Sequence, residues 1–301
     1  SEMCIRDRAT TAQLFDVNVE VLNIDQIKKI YPIINEKDVL GGIFMPGDGQ
    51  ADPIGVTNLL AKAARKEGVK IFEKSPVEKI IKKNGRVAGV VVNGKTIECE
   101  YIVLATGMWS RQIGEDMGFS IPLYPAEHFY IITEPIKNLS SNLPVIRDFD
   151  NRTYIKEDAG KLLIGAFELK AKPWGMDGIP DDFCFDQLPE DIEHFSPILD
   201  AAVRRMPLLE KAGIQLFFNG PESFTPDDRY LLGEAPNLKN FYMACGFNSI
   251  GIQSAGGAGK ALSEWMDAGE PPFDLWDVDI RRMQQFQANK TYLYHLSLIH
   301  I

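Results

Sequence analysis

The sequence predicts a mixed α/β (α+β) protein built from two domains. Three observations predict it: an apolar run at 101–105 that leads into a glycine turn and a helix, two Asn-Gly turns between short strands, and short strands after residue 124 that precede a helical stretch. The first observation is typical of a strand buried on both faces of a parallel sheet, and the others are typical of antiparallel sheets.

The first predicted helix covers residues 53–67. Asp52 is a suitable N-cap, Pro53 is favoured at the first helical position, and Gly68 is a typical stop. The elements predicted to follow are strands at 69–72 and 77–81, a meander of strands at 87–92 and 96–100 with Asn-Gly turns at 84–85 and 93–94, the buried strand at 101–105, and a helix that starts near Ser110.

The second domain is predicted to be an antiparallel sheet with a covering helix. Its predicted elements are strands at 128–133, 153–156 and 162–167, a helix within 189–209, and strands at 214–218 and 230–232. A strand at 241–244 and a closing helix at 252–268 are predicted to belong to the first domain. The domain boundaries that follow are 9–123 for the first part of one domain, 124–239 for the second domain, and 240–293 for the return to the first. Residues 1–8 and 294–301 do not continue the neighbouring patterns, and we expect them to be non-native ends.

Composition narrows the class of protein. The 301 residues carry a net charge of −10, from 32 Lys and Arg against 42 Asp and Glu, which disfavours a nucleic-acid partner. The four cysteines form no CxxC pair and the four histidines lack metal-ligand spacing, so we expect neither a disulfide framework nor a metal site. No apolar run approaches the ~20 residues of a membrane span. We therefore expect a cytoplasmic protein, or one of the mitochondrial matrix if the source is eukaryotic.

Residues 244–260 carry the clearest local signal. An apolar strand leads into a turn of glycines and small residues and then into a helix, which presents unpaired backbone N–H groups to an anionic or electron-rich ligand. The pair Gly257 and Gly259 is not followed by the third glycine of a dinucleotide-binding fingerprint, and Ser254 stands where a P-loop requires its first glycine. Neither phosphate-binding motif is therefore present. Close packing of the helix on a sheet is the alternative role for these glycines.

Six short motifs occur together in one order. They are GDGQADP (47–53), SPV (75–77), ATGMWS (105–110), PLYPAEHFY (122–130), FTPD (224–227) and GFNS (246–249). This ordered set resembles the D-amino-acid-oxidase-like superfamily of FAD-dependent oxidoreductases. The segments 221–227, 246–259 and 275–283 are most similar to dimethylglycine and sarcosine dehydrogenases. The resemblance covers about residues 10–293.

The resemblance implies a glutathione-reductase-like FAD-binding domain and an antiparallel substrate domain. In that family an N-terminal GxGxxG turn holds the FAD pyrophosphate, and no such motif occurs in this sequence. We therefore expect the FAD-binding domain to be incomplete, with its first βαβ unit missing, and covalent attachment of FAD cannot be inferred. The residues that the resemblance places at the cofactor are Val77, Ala105, Thr106, Gly107, Gly246, Asn248, Ser249, Gly251, Ile252 and Gln253.

The resemblance also implies a substrate pocket lined by a histidine and a tyrosine. Their motif positions match His128 and Tyr154, which we predict as catalytic residues. The alternatives are a hydrogen-bonded core histidine and an ordinary strand aromatic. The substrate carboxylate requires a cation, and the sequence leaves Arg147 and Arg229 as equal alternatives.

The leading hypothesis is oxidative N-demethylation of a small N-methylated amino acid, dimethylglycine or sarcosine, by an FAD-dependent amine dehydrogenase. The implied partners are an electron-accepting flavoprotein or oxygen, and tetrahydrofolate through a C-terminal domain outside this chain. One alternative is another amine or alcohol oxidoreductase of the same superfamily. The alternative from a different class is a flavin-binding or assembly module without turnover.

Overall fold

The computed structural model describes residues 2–168 and 170–300. Residues 1 and 301, which belong to the predicted non-native ends, lie outside the described residues. The helices are α1 Glu2–Leu14, α2 Ile24–Ile30, α3 Pro53–Lys66, α4 Ser110–Met117, α5 Ile192–Arg205, α6 Gly251–Ala268 and α7 Lys290–His300. The strands are β1 Glu20–Leu22, β2 Gly42–Phe44, β3 Val77–Lys83, β4 Arg86–Val92, β5 Lys95–Glu98, β6 Ile102–Leu104, β7 Tyr124–Thr133, β8 Ile146–Asp148, β9 Thr153–Asp158, β10 Lys161–Ala166, β11 Lys172–Pro173, β12 Ile214–Phe224, β13 Leu231–Glu234 and β14 Phe241–Cys245.

The chain forms two compact units, each made of separated segments. Unit 1 contains the described residues up to Asp52, Phe129–Glu168 and Leu188–Asn219. Unit 2 contains Pro53–His128, residues 170–187 and the described residues from Gly220 onward. The mixed α/β class with antiparallel sheets is confirmed, whereas the domain boundaries proposed from the sequence stay predictions.

Unit 1 is centred on an antiparallel sheet covered by α5. Strands β7, β10, β9 and β8 are hydrogen bonded in that order. The N-cap of helix α5 is Asp191, whose side chain accepts a hydrogen bond from the His194 backbone N–H at 2.9 Å. The core between helix and sheet contains Ile131, Ile155, Ile164, Phe195, Ile198 and Ala202. One face of β9 is thereby buried, as the alternation of buried and half-buried residues along that strand shows.

Unit 2 contains the predicted meander. Strands β3, β4 and β5 pair antiparallel in sequence order. Both connecting turns have two consecutive residues of positive φ, 52° and 75° at Asn84 and Gly85, and 50° and 69° at Asn93 and Gly94. Asn-Gly pairs are favoured in such turns because both residues adopt left-handed conformations at low cost. The prediction of a strand at 69–72 is wrong, because these residues form an irregular connection after the end of α3.

A second sheet of unit 2 has the order β13-β14-β6, in which β14 and β6 are parallel. Residues 102–104 of the apolar run 101–105 form β6, but the prediction that both faces of this strand are buried is wrong. Leu104 packs into the unit 2 core with Phe241 and Met243, whereas Tyr101 and Val103 are 40% and 42% exposed. The reason is that alternate side chains point to opposite faces, and among the described residues only one face of β6 is covered.

The other predicted elements are confirmed with small shifts of their ends. Strand β7 begins four residues earlier than predicted, β12 continues to Phe224, and the helix predicted within 189–209 is α5 followed by a 3-10 turn at Pro207–Lys211. The short strands β1, β2, β8 and β11 were not predicted because two or three residues carry no measurable periodicity. Among the described helices, none combines the length and apolar character needed to cross a membrane.

Candidate functional site

Two glycine turns lie at the same edge of the small sheet in unit 2. Strands β6 and β14 run parallel, with Tyr242 opposite Val103 and Met243 opposite Leu104. Parallel neighbours end at the same edge of a sheet, so the turn that follows β6 (residues 105–107) and the turn that follows β14 (residues 246–250) are adjacent. This edge is the usual position of ligand sites in parallel sheets.

The turn after β6 is open to solvent. Gly107 has φ of +56°, and a Cβ placed on it would meet no atom within 4 Å. An open pocket of about 600 Å³ is lined by Ala105, Thr106, Gly107, Trp109 and Ile113. The hydroxyl oxygens of Thr106 and Ser110 are 2.9 Å apart, which ties the turn to the first residue of α4. The backbone of this turn is therefore exposed and held in place.

The turn after β14 requires glycine at its first position. Gly246 has φ of +67°, and a Cβ on it would lie 2.6 Å from Leu123 Cδ2 and 2.7 Å from Thr225 Cγ2. The next left-handed residues are Asn248 and Ser249, with φ of 47° and 66°. Two consecutive non-glycine residues with positive φ are uncommon and require local stabilisation.

Asn248 supplies that stabilisation. Its side chain is 8% exposed. Its Oδ1 accepts a hydrogen bond from the Thr225 N–H at 2.8 Å, and its Nδ2 donates to the Gly246 carbonyl at 2.9 Å. Asn248 was predicted as a cofactor-binding residue; the structure directs its amide into the protein, where it holds the shape of the turn.

Helix α6 begins directly after this turn without a side-chain cap. The N-cap residue Ile250 makes no side-chain hydrogen bond to the helix, and Gly251, Ile252 and Gln253 form the first turn. Ile252 is 54% exposed. The unpaired N–H groups and the positive end of the helix dipole favour a negatively charged or electron-rich group at this position. The exposed turn 105–107, the turn 246–250 and this helix end fit the flavin predicted from the sequence.

Val77 is the first residue of β3 and pairs with Val92 of β4. Its side chain is 54% exposed. The predicted contact of its backbone with the adenine of FAD stays a prediction.

His128 belongs to the part of β7 that lies in unit 2. Burial lowers the pKa of its imidazole, and the negative charge of Glu222 partly offsets that effect. Because the usual pKa of histidine is near 6.5, a lowered value leaves His128 neutral at pH 7. Glu222 was not predicted as a site residue, although it stands in the quoted segment 221–227. Its proximity to His128 arises from the fold, and no local sequence signal indicates it.

Tyr154 belongs to β9 in unit 1 and lies across Gly165 of β10. The two residues are directly paired, and a Cβ on Gly165 would be 2.2 Å from the Tyr154 hydroxyl oxygen. The Tyr154 ring is tilted against Phe167, with centroids 6.1 Å apart. On the other neighbouring strand, Arg147 is paired with Tyr154. Arg229, the other predicted carboxylate partner, lies in unit 2, where its carbonyl accepts hydrogen bonds from Thr225 and Arg282.

The structure thus assembles the predicted cofactor residues of 105–107 and 246–253 at one edge of unit 2. His128 belongs to the same unit and Tyr154 to the other. Within residues 2–168 and 170–300, no three His, Cys, Asp or Glu side chains are grouped so that they could hold a metal ion.

Comparison with known proteins gives two family matches. The FAD dependent oxidoreductase family matches residues 4–265, and the FAD dependent oxidoreductase central domain matches residues 268–296. Among solved structures, the L-proline dehydrogenase from P. horikoshii has a TM-score of 0.78 and 24% sequence identity, covering 90% of this chain and 70% of that one. At this identity the likeness concerns the fold.

Three curated relatives match most of the chain. The 4-methylaminobutanoate oxidase (formaldehyde-forming) of Paenarthrobacter nicotinovorans is 39% identical over 92% of this chain and 34% of its own length. The mitochondrial pyruvate dehydrogenase phosphatase regulatory subunit of Mus musculus is 37% identical over 92% of this chain and 32% of its own length. The mitochondrial sarcosine dehydrogenase of Homo sapiens is 37% identical over 89% of this chain and 29% of its own length. The chain spans about a third of the length of these relatives.

Proposed function

The chain belongs to the FAD dependent oxidoreductase family, and from that premise we propose that it takes part in the FAD-dependent oxidative N-demethylation of a small N-methylated amino acid. Dimethylglycine and sarcosine are the proposed substrates, and 4-methylaminobutanoate is a further one. The observation that carries the proposal is the shared edge of β6 and β14, where the exposed turn 105–107, the turn 246–250 and an uncapped helix end lie together.

Residues 105–107 and 246–253 are the proposed FAD-binding residues of this chain. The open space beside Gly107 admits close approach of a planar ring, and the first turn of α6 offers backbone N–H groups to a flavin carbonyl oxygen. When bound, FAD would accept the hydride equivalent from the N-methyl carbon. The protein has to supply the binding groups and control the proton of the amine.

His128 is proposed to control that proton. An N-methylated amino acid carries an ammonium at neutral pH, and an ammonium cannot release a hydride equivalent. A neutral imidazole accepts a proton, and the lowered pKa of His128 keeps it neutral. Glu222 counteracts this shift and would stabilise the imidazolium after the proton has been accepted. Glu222 is therefore proposed as a residue that tunes His128.

Tyr154 is proposed as a hydrogen-bonding residue of the substrate region in unit 1. Its phenol is a donor and an acceptor, and its ring is held between Gly165 and Phe167. Removal of the hydroxyl group in a Tyr154→Phe variant leaves this packing in place, so the variant isolates the contribution of the hydroxyl.

The test is anaerobic reduction of the FAD-reconstituted protein by a panel of amines, followed through the loss of oxidised-flavin absorbance, with formaldehyde measured in the presence of an electron acceptor. We expect reduction by at least one N-methylated amino acid and none by the corresponding unmethylated one. Reduction by glycine or proline in preference to sarcosine and dimethylglycine would assign the chain to another oxidoreductase class. The same assay, run with an electron-accepting flavoprotein or with oxygen, identifies the acceptor. Adding tetrahydrofolate and measuring the released formaldehyde tests a role for tetrahydrofolate.

A non-catalytic role has one specific observation in its favour. A mitochondrial relative that is named as a regulatory subunit is 37% identical to the chain, as similar as a sarcosine dehydrogenase. If the FAD-reconstituted protein is reduced by none of the amines, or if His128→Ala and Tyr154→Phe leave its reduction unchanged, the catalytic assignment of these residues is wrong. Stable FAD binding without reduction by any amine would favour the non-catalytic role. Cytoplasmic or mitochondrial-matrix location remains part of the proposal.

A further inference from the structure

The turn at residues 246–250, named the flavin turn here, is joined to Arg282 by a chain of hydrogen bonds within unit 2. Arg282 Nη2 donates to the Arg229 carbonyl at 2.7 Å, and the Thr225 hydroxyl donates to the same carbonyl at 2.9 Å. Asn248 Nδ2 donates to the Thr225 hydroxyl oxygen at 3.0 Å. Arg282 is thus connected to the flavin turn although it belongs to a separate segment of the sequence.

The Thr225 hydroxyl controls the hydrogen bonds of the Asn248 amide. A hydroxyl has one hydrogen, and two acceptors lie within reach of it: the Arg229 carbonyl at 2.9 Å and Asn248 Oδ1 at 3.4 Å. When the hydrogen is donated to the Arg229 carbonyl, the hydroxyl oxygen remains an acceptor for Asn248 Nδ2. The same Nδ2 donates to the Gly246 carbonyl at 2.9 Å. The position of the Arg229 carbonyl therefore affects the hydrogen bonds that shape the flavin turn.

Arg282 fixes that carbonyl by holding the loop 225–229 at two points. Its Nε and Nη2 donate to the Asp227 carboxylate at 2.7 and 3.0 Å, and Nη2 also donates to the Arg229 carbonyl. The planar guanidinium matches the two carboxylate oxygens, so this contact sets a direction as well as a distance. The Arg282 side chain is 9% exposed, which shields its hydrogen bonds from water. The loop includes Asp228 at φ of 56°, a conformation that requires local stabilisation.

The backbone of Arg282 is itself fixed. Arg282 ends a 3-10 turn that begins at Ile280, and Ile280 is buried in the unit 2 core. The third guanidinium nitrogen, Nη1, donates to the Asp279 carbonyl at 3.1 Å. All three nitrogen atoms of the guanidinium therefore have acceptors within unit 2. A side chain held in this way is a rigid support for the loop that it contacts.

We propose that Arg282 is a positioning residue of the flavin site, which acts through Thr225 on the Asn248 amide and so on the flavin turn. The inference rests on the proposed function, which places FAD against residues 246–253. The flavin turn leads into α6, whose first N–H groups would stabilise the negative charge that the flavin gains on reduction. Such groups act through fixed positions. Arg282 therefore supports both the affinity for FAD and the reduction potential of the bound flavin.

The first test needs no flavin. In Arg282→Gln we expect the side-chain amide signals of Asn248 to shift in NMR spectra and to exchange faster with water, because Asn248 loses a fixed acceptor. The signals are assigned through their absence in Asn248→Asp. Arg281→Gln is the matched control, because it removes the same charge from the adjacent residue, which is 52% exposed and pairs with Asp279. Asn248 signals that are unchanged in Arg282→Gln, or that change equally in Arg281→Gln, would overturn the proposal.

Arg282→Lys is the conservative variant. A lysine keeps the charge, but its single ammonium cannot occupy the positions of Nε and Nη2 together. We expect Asn248 signals between those of the wild-type protein and those of Arg282→Gln. If Arg282→Gln does not fold, this variant decides the question, and wild-type Asn248 signals in Arg282→Lys would then overturn the proposal.

The second test uses the FAD-reconstituted protein. In Arg282→Gln we expect the Kd for FAD to rise by roughly 10-fold to 100-fold, the range expected from a small misplacement of binding groups. The reduction potential, measured by titration with a chemical reductant, should become more negative, because the reduced flavin loses more stabilisation than the oxidised flavin. Arg281→Gln should keep both values of the wild-type protein. A merely structural role of Arg282 would raise the Kd without moving the potential, and that result would overturn the proposal.

A double variant tests the route through Thr225. Thr225→Val removes the hydroxyl but keeps the backbone N–H that donates to Asn248 Oδ1 at 2.8 Å. Because Arg282 is proposed to act through that hydroxyl, Arg282→Gln should raise the Kd for FAD much less in the Thr225→Val background than in the wild-type protein. Fully additive losses would show that Arg282 acts by another route, and they would overturn the proposal.

The outcomes separate this inference from the proposed function. If N-methylated amino acids reduce the wild-type protein and Arg282→Gln has an unchanged potential, the inference fails and the proposed function stands. If the wild-type protein binds FAD but no amine reduces it, the proposed function fails, and the Kd and potential of Arg282→Gln still decide the inference. If the wild-type protein binds no FAD, the proposed function fails and so does the role of Arg282 in a flavin site.

Discussion

Asn248 holds Thr225 by its side-chain amide: its Oδ1 accepts a hydrogen bond from the Thr225 backbone N–H at 2.8 Å, and its Nδ2 lies 3.0 Å from the Thr225 hydroxyl. Thr225 follows β12 directly, and Asn248 lies in the turn between β14 and α6. The shape of the proposed flavin turn therefore depends on a distant segment of unit 2.

Asn248→Ala should weaken FAD binding and lower stability together. The substitution leaves the buried Thr225 N–H without its partner, at a cost of about 1–3 kcal/mol, and places an alanine at φ of 47°. Fluorescence titration with FAD and urea unfolding measure the two effects. Asn93→Ala is the control, because Asn93 has a similar φ of 50° in the hairpin turn between β4 and β5. Equal effects of the two variants on FAD binding would contradict a specific role of Asn248.

Alanine substitutions of the two turn glycines should separate stability from binding. Gly246→Ala creates contacts of 2.6 and 2.7 Å in addition to a left-handed alanine, so we expect a loss of about 2–4 kcal/mol in the free energy of unfolding. Gly107→Ala meets open space and should cost only about 1 kcal/mol. If the Gly107 backbone approaches the flavin, Gly107→Ala should lose FAD affinity although its stability changes little. A Gly107→Ala variant with unchanged affinity would remove residues 105–107 from the cofactor site.

Local signals made most of the fold predictable. Pro53 at a helix start, Asn93 and Gly94 in a hairpin, and Gly246 after an apolar strand each restrict the backbone through their own chemistry. The one-sided burial of β6 was not predictable, because an apolar run does not reveal which neighbours cover it.

The same distinction applies to the candidate sites. The two glycine turns were predictable because each carries its own signal, and the parallel pairing of β6 with β14 places them together. The interaction of Glu222 with His128, and the space that Gly165 leaves for Tyr154, depend on strand pairing between segments that are separate in sequence. Side-chain neighbours across strands have no signature within either strand.

The charge of Glu222 should be measurable in the titration of His128. Burial lowers the pKa of His128 and Glu222 raises it, so Glu222→Gln should lower that pKa further. NMR titration of the imidazole C–H signal, assigned through its absence in His128→Gln, provides the measurement. In the enzyme assay the acid limb of kcat/KM should move to lower pH in the same variant.

Glu127→Gln is the control for this titration. Glu127 is adjacent in sequence but pairs with Lys172 at 3.3 Å, and its charge is not a cause of the His128 shift. The lowered pKa of His128 also makes the stability of the protein depend on pH. Between the pKa of the folded state and about 6.5, the unfolded chain binds more protons than the folded one. The free energy of unfolding therefore decreases as the pH falls through that interval. A measured His128 pKa above 6.5 would contradict both the lowered pKa and the expected loss of stability at lower pH.

The ion pair of Arg205 with Asp148 should dominate the acid sensitivity of unit 1. Arg205 Nε donates to Asp148 Oδ2 at 2.7 Å, and the side chains are 10% and 9% exposed. Burial alone would raise the pKa of Asp148, but the hydrogen bonds from Arg205 and Asn151 outweigh it and the pKa is lowered. A lowered carboxyl pKa contributes stability above the unfolded value near 3.9, and this contribution is lost as pH falls through the folded value.

Asp148→Asn should therefore destabilise the protein by about 3 kcal/mol at pH 7, because it leaves the Arg205 charge half satisfied in a buried position. Arg205 Nη1 retains Asp38 at 3.2 Å and the Asn35 carbonyl at 2.9 Å, so the variant should still fold. Urea unfolding between pH 7 and pH 3 measures both the loss and its pH dependence, which should be weaker in the variant than in the wild-type protein. Asp150→Asn, an exposed neighbour, is the control and should follow the wild-type curve. A wild-type pH dependence in Asp148→Asn would assign the acid sensitivity to other carboxylates.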